Sequence, residues 1–152
     1  MICQDLPERP RSLHERRIRS QERGTFRYIG AWLDGRAVGH VGLAFPDDRR
    51  IDALLEWRGR AHVEDLWVMP RCRRLGIGFA LMLDVEAAGR AADLREIALD
   101  TGTSPGYAAA RRLYQRLGYV ERPEPYIISA APPPDADPVS WCDVVTMWTK
   151  VL

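Results

Sequence analysis

At 152 residues the chain is long enough to bury one hydrophobic core without disulfides or metals. With 46% hydrophobic and 28% charged residues and a formal net charge of +1, it lacks the basic excess that would make nucleic acid its main partner. Its three cysteines, Cys3, Cys72 and Cys142, are too scattered for a disulfide framework or a zinc site, and no apolar run approaches the ~20 residues that span a bilayer.

Met1 to Ser20 is charged and has no apolar centre of the kind a signal peptide needs, so a cytoplasmic protein with reduced thiols, no membrane partner and no metal is expected. Arg11 to Arg23 predicts a helix with few apolar residues, a solvated face that Gly24 ends. Phe26 to Trp32 and Ala37 to Phe45 are strand-like, and Asp34-Gly35 between them predicts a hairpin. Pro46 to Gly59 carries no clear pattern. Ala61 to Val68 reads as a central strand, which Pro70 must end because it cannot donate to a ladder.

A basic, glycine-bearing loop follows, Arg71-Cys72-Arg73-Arg74-Leu75-Gly76-Ile77-Gly78. From Ile77 the apolar residues Ile77, Leu81, Val85 and Ala88 recur at helical spacing, with Asp84, Glu86 and Arg90 on other faces. Glu96 to Asp100 predicts a short strand. Ser104-Pro105 supplies a cap and a first-turn proline for a helix to about Leu117, burying Ala110, Leu113 and Leu117, and Gly118 closes it. Tyr119 starts another strand, Ala131 to Pro138 is an exposed proline-rich loop, and Trp141 to Val151 is a last β-rich segment. No repeat or linker divides the chain, so one domain over residues 1–152 is expected, an α/β fold on a mixed sheet.

The unit strand, Arg73-x-x-Gly76-x-Gly78, helix is the chemically informative one. A helix start presents unpaired N–H groups and partial positive charge, glycines let an anion approach the backbone, and Arg73 and Arg74 add charge. Together they predict a pyrophosphate site. The triphosphate loop needs Lys and Ser or Thr after its last glycine, where Phe79-Ala80 stand; the dinucleotide fingerprint needs a third glycine where Leu81 stands.

In this loop the chain resembles the GNAT superfamily of N-acetyltransferases, whose cofactor motif is Arg or Gln, two residues, Gly, one residue, then Gly or Ala. The lead-in VEDLWVMP looks like that family's fourth strand, and AARRLYQRLGY, Ala109 to Tyr119, resembles its second acetyl-CoA segment. The resemblance implies a mostly antiparallel sheet flanked by helices with splayed central strands. It implies acetyl-CoA as cosubstrate, its pyrophosphate held by Arg73, Arg74, Leu75, Gly76, Ile77, Gly78 and Phe79. It also implies a pantetheine arm paired with Leu66, Trp67 and Val68, and direct transfer without an acyl-enzyme. Tyr114 matches the tyrosine that donates to the CoA sulfur, and Glu64 resembles a strand glutamate that deprotonates the amine, with Asp65 and His62 as fallbacks. Strand alternation would send Glu64, Leu66 and Val68 to one face and Asp65 and Trp67 to the other.

The acceptor is expected to be a primary amine on a small molecule or peptide, and Glu64, Asp65 and Asp143 suggest a cationic one. Glu15 and Glu22 are secondary acceptor contacts by the same resemblance, which also brings in homodimers, common in the family. His14 and His40 read as structural, and the five tryptophans as core or cleft wall. Two departures stand out: only 10 residues precede Arg11, so the family's first strand is short or missing, and Tyr107 replaces an asparagine common before Ala110. The rival readings are a different acyl group, a noncatalytic acyl-CoA sensor or partner protein, and an arginine-driven RNA-binding module, which the balanced charge disfavours.

Overall fold

The computed structural model describes residues 11–48, 57–130 and 141–152, without the side chains of residues 129–130 and 141–142. The expected short first strand and the proline-rich loop of Ala131 to Pro138 lie outside these residues. In chain order the elements are α1 (Arg11–Glu22), β1 (Phe26–Leu33), β2 (Arg36–Ala44), β3 (Ala61–Val68), α2 (Ile77–Ala91), β4 (Glu96–Gly102), α3 (Ala108–Arg116), β5 (Val120–Glu121), β6 (Tyr126–Ala130) and β7 (Trp141–Val151). Short 3-10 turns precede α2 at Pro70–Cys72 and α3 at Pro105–Tyr107. Among the described residues no helix is long and apolar enough to cross a membrane.

The chain divides into two compact units, Met1–Ala98 with Val151–Leu152, and Leu99–Lys150. In the first, the strand order is β1-β2-β3-β4. The β1–β2 hairpin turns at Asp34 and Gly35, both at positive φ (49° and 74°), which is the backbone that Asp-Gly favours between twisted strands. β2 pairs antiparallel with β3 and is buried along nearly its whole length, so it forms the centre of this unit's core with Phe26, Leu81, Met82, Val85 and Ile97.

The two helices of this unit cover opposite faces of the sheet. A Cβ at Gly39 would lie 3.4 Å from Leu81 of α2, while the ring of the next residue, His40, lies 5.4 Å from that of His14 on α1. α2 follows its apolar spacing, with Leu81, Met82 and Val85 buried. Glu86, expected on another face, is 2% exposed and lies 3.4 Å from the Arg90 guanidinium, an i,i+4 pair that keeps its charge partnered.

The division falls within β4, and in the second unit its remainder, residues 99–102, runs beside β7, which pairs antiparallel with both β5 and β6. The single strand expected from Tyr119 is two short ones, because Pro123 and Pro125 lie between Glu121 and Tyr126 and cannot donate to a ladder. α3 starts through the 3-10 turn, and Ser104 contributes its carbonyl to the Tyr107 N–H (3.1 Å) with no side-chain cap. Ala110 and Leu113 are half-buried rather than buried, while Leu117 is buried and Gly118 closes the helix at φ +85°.

Candidate active site

The candidate residues fall in both units. In the first, β3 ends at Val68, and the Met69 N–H still reaches the Val38 carbonyl (2.8 Å) before Pro70 stops the ladder. The 3-10 turn buries Cys72, a free thiol that is 6% exposed. Arg74 (φ +65°) and Gly76 (φ +82°) then take left-handed backbone, and Gly76 becomes the residue before the first turn of α2. No side chain caps this helix start and its first turn holds no acid. A Cβ built at Gly76 would meet nothing within 4 Å, so its glycine serves the backbone angle and leaves open space.

Arg71, Arg73 and Arg74 are exposed around that opening. Arg73 is not a free-swinging charge: its Nε donates to the Val68 carbonyl at 2.9 Å, tying the loop back to the end of β3. An uncapped helix start, an open left-handed glycine and three guanidinium groups make a chemically suitable cradle for a phosphate ester.

On the opposite face of the sheet the structure brings the carboxylates together. The register of β2 against β3 shifts between His40 and Gly42, and Asp65 sits at φ +52°, a bulge that inserts one extra residue. The strict alternation expected from the sequence therefore fails here. Glu64 opposes Gly42 and Trp67 opposes His40, so these two share the α1 face, while Val68 opposes Gly39 on the α2 face. Asp65 also turns towards α1, and both acids approach one guanidinium: Arg17 Nη1 lies 2.9 Å from Asp65 Oδ2, and Nη2 lies 4.0 Å from Glu64 Oε2. Both carboxylate side chains remain about one-fifth exposed, at 20% and 18%, so they can meet a ligand, while Arg17 cannot.

Beneath them lies a buried polar cluster, which corrects the expectation that α1 is a solvated face and agrees with structural roles for His14 and His40. His14, Arg17 and Ser20 all point inward from α1. His14 Nδ1 lies 2.5 Å from the Tyr28 hydroxyl, and His40 Nε2 lies 3.9 Å from Asp65 and stacks on Trp67 at 6.0 Å. His62, a fallback base, is 2% exposed and stacked under Trp57 at 4.0 Å, which takes it out of reach of a ligand. Glu15 pairs with Arg11 at 2.7 Å on the exposed side of α1.

In the second unit the ring of Tyr114 packs edge-on to Tyr119 (6.0 Å) and tilted against Trp148 (6.2 Å). Burial pushes its hydroxyl up to about 12. Tyr107, standing where the family's asparagine was expected, donates to Asp143 at 2.7 Å; that bond, then burial, then the carboxylate charge raise its pKa. Arg111 spans Glu121 at 2.8 Å and the face of Trp148 at 5.4 Å, so it packs α3 rather than facing solvent. Among the described residues no group of three or more His, Cys, Asp or Glu could hold a metal ion.

Residues 2–119 match the acetyltransferase (GNAT) family. Over 93 residues the chain is 36% identical to an uncharacterized N-acetyltransferase of Methanocaldococcus jannaschii, an overlap of 60% of this chain and 51% of that one. The chain thus spans about half the length of the curated relative it matches. Among solved structures it resembles a ribosomal-protein-alanine N-acetyltransferase from Brucella melitensis, with TM-score 0.66 and 15% identity over 93% of this chain and 78% of that one. It also resembles an acetyltransferase from Elizabethkingia anophelis with acetyl-CoA bound, with TM-score 0.60 and 15% identity over 100% of this chain and 88% of that one. At these identities the two likenesses speak for the fold.

Proposed function

Since the chain belongs to the GNAT family of acetyltransferases, we propose that it transfers an acetyl group from acetyl-CoA directly to a primary amine of a small molecule or peptide. The observation that carries this reading is the uncapped start of α2, with Gly76 at φ +82° beside open space and Arg71, Arg73 and Arg74 around it. In this reading the backbone from Arg73 to Phe79 receives the pyrophosphate, and Leu66, Trp67 and Val68 align the pantetheine arm. When bound, acetyl-CoA supplies an activated thioester.

The chain's own residues then handle two protons. An amine with a pKa near that of lysine, about 10, is protonated at neutral pH and must lose a proton before it attacks. Glu64 is the proposed acceptor of that proton, directly or through water. Glu64 and Asp65 share one guanidinium, so the three groups leave one negative charge beside two ligand-accessible carboxylates, which suits a cationic amine. Tyr114 keeps its proton throughout the neutral range because burial raises it to about 12. Its part is therefore to donate a hydrogen bond to the departing sulfur, since full transfer to a thiolate of ordinary pKa, about 8.5, would run uphill.

Calorimetric titration with acetyl-CoA tests the reading, using wild type beside an Arg73→Glu, Gly76→Asp variant checked for folding. Micromolar binding lost in the folded variant is the expected result; no binding by folded wild type would overturn the proposal. A CoA-release assay over polyamines, aminoglycosides, amino acids and peptide N-termini then identifies the acceptor.

A further inference from the structure

We infer that Arg17 is a positioning residue that locks the bulge in β3 and thereby sets which faces of the sheet present Asp65 and the residues beyond it. Three separate observations converge on it. Asp65 adopts φ +52°, a region that costs a non-glycine residue free energy, although aspartate tolerates it better than most. The β2–β3 register slips by one residue at the same place. Arg17 is 3% exposed, a burial that a guanidinium withstands only when its charge is met.

Each of these features needs the others. On a regular strand Asp65 would project to the α2 face and only Glu64 would face Arg17. The extra residue turns both carboxylates to α1, where Asp65 bonds Nη1 at 2.9 Å, Glu64 stands 4.0 Å from Nη2, and the Tyr28 ring lies 5.6 Å from the guanidinium carbon. The buried charge is satisfied by the bulge, and the left-handed aspartate is held by the charge. Among the described residues Arg17 Nε has no hydrogen-bond partner. With the bulge in place Trp67 shares the face of Glu64, and Val68 turns to α2 with its carbonyl on Arg73. Undoing the bulge would move every side chain beyond Asp65 to the other face. Arg17 is too buried to touch a substrate, so it acts through β3.

The catalytic consequence, Asp65 and Trp67 on the face of Glu64, rests on the reading of Glu64 as base. The lock itself is testable on the free protein, without acetyl-CoA or an amine, so the two can fail separately. The readout is the intraresidue amide-to-α-proton nuclear Overhauser effect of Asp65 in the full chain, which is strong only at positive φ because the two protons then approach closely. Arg17→Gln is expected to lose that signal and Arg17→Lys to retain it; a folded Arg17→Gln protein that keeps the signal overturns the inference. Should Arg17→Gln fail to fold, the variant combining it with Asp65→Gly decides. Glycine adopts the left-handed backbone without a lock, so recovered folding supports the inference, and continued unfolding means that Arg17 stabilises something else.

Discussion

Gly76 and Gly24 offer a matched pair of substitutions for testing the phosphate cradle. Both sit in left-handed backbone, at φ +82° and +77°, and a Cβ at either would meet no protein atom within 4 Å. Replacing either by alanine should cost about 1–2 kcal/mol for the left-handed conformation. The stiffer unfolded chain returns about 0.4–1 kcal/mol of this. The net loss, on the order of 1 kcal/mol, corresponds to a fall in melting temperature of about 2–4 °C for a chain of this size. Urea and thermal denaturation should therefore give nearly equal losses for the two variants. Acetyl-CoA titration should separate them: only at Gly76 does the new methyl group stand in the open space before the α2 N–H groups. A tenfold or greater loss of affinity, about 1.4 kcal/mol, is expected for Gly76→Ala and none for Gly24→Ala. Equal affinity in wild type and Gly76→Ala would refute the placement of the pyrophosphate.

Tyr114→Phe should lower turnover by about 100-fold or more while leaving acetyl-CoA affinity within about twofold, measured by CoA release and calorimetry; unchanged turnover removes the donor role. The same variant has a signature in stability. A folded pKa raised from 10 to about 12 means that the native state holds the proton which the unfolded chain releases, so stability present below pH 10 is lost as pH rises towards 12. Urea midpoints between pH 9 and 11 should fall more steeply in wild type than in Tyr114→Phe, and parallel curves would show that the hydroxyl is not desolvated. Glu64→Gln should abolish the acid limb of the pH–rate profile, and a profile that keeps it excludes Glu64 as base. Gly42→Ala should destabilise by about 1–3 kcal/mol, because the new methyl runs into the ring of Phe26, which is 1% exposed and cannot move aside. Gly102→Ala, aimed at the 40%-exposed Tyr107, should cost less; denaturation curves showing the reverse order would contradict this packing.

What the sequence made legible was written locally. Asp34-Gly35 states its turn through backbone preference, Pro70 ends β3, and the Ile77, Leu81, Val85 spacing places α2. The Arg73 to Gly78 loop and the Tyr114 segment were legible as short motifs, since each is contiguous in the chain and needs no tertiary contact to be read. The division into β5 and β6 is also written in the sequence, since Pro123 and Pro125 interrupt the run. The burial of Glu86 had a signal too: it lies four residues after Met82 and three before Gly89, on their face of the helix. The bulge at Asp65 had none. No glycine or proline marks it, and its cause lies 48 residues away in Arg17.

α1 shows why its own role was hidden. Apolar spacing reports burial only where the buried groups are apolar, and this helix turns His14, Arg17 and Ser20 inward, at intervals of three. Each of these has a directional partner: His14 meets the Tyr28 hydroxyl, Arg17 meets Asp65, and Ser20 accepts from the Arg23 guanidinium at 2.8 Å. Outside that stripe Gln21 accepts from the Tyr28 N–H at 2.8 Å, adding a second tie to β1. Leucines packed on a sheet can slide by a fraction of a turn at small cost, whereas hydrogen bonds and an ion pair weaken steeply with distance and angle. A helix seated this way gives up part of the hydrophobic gain of burial and receives a fixed register in return. That register matters where two carboxylates must stay accessible beside a strand end, and a polar seat fits this helix better than an apolar one would.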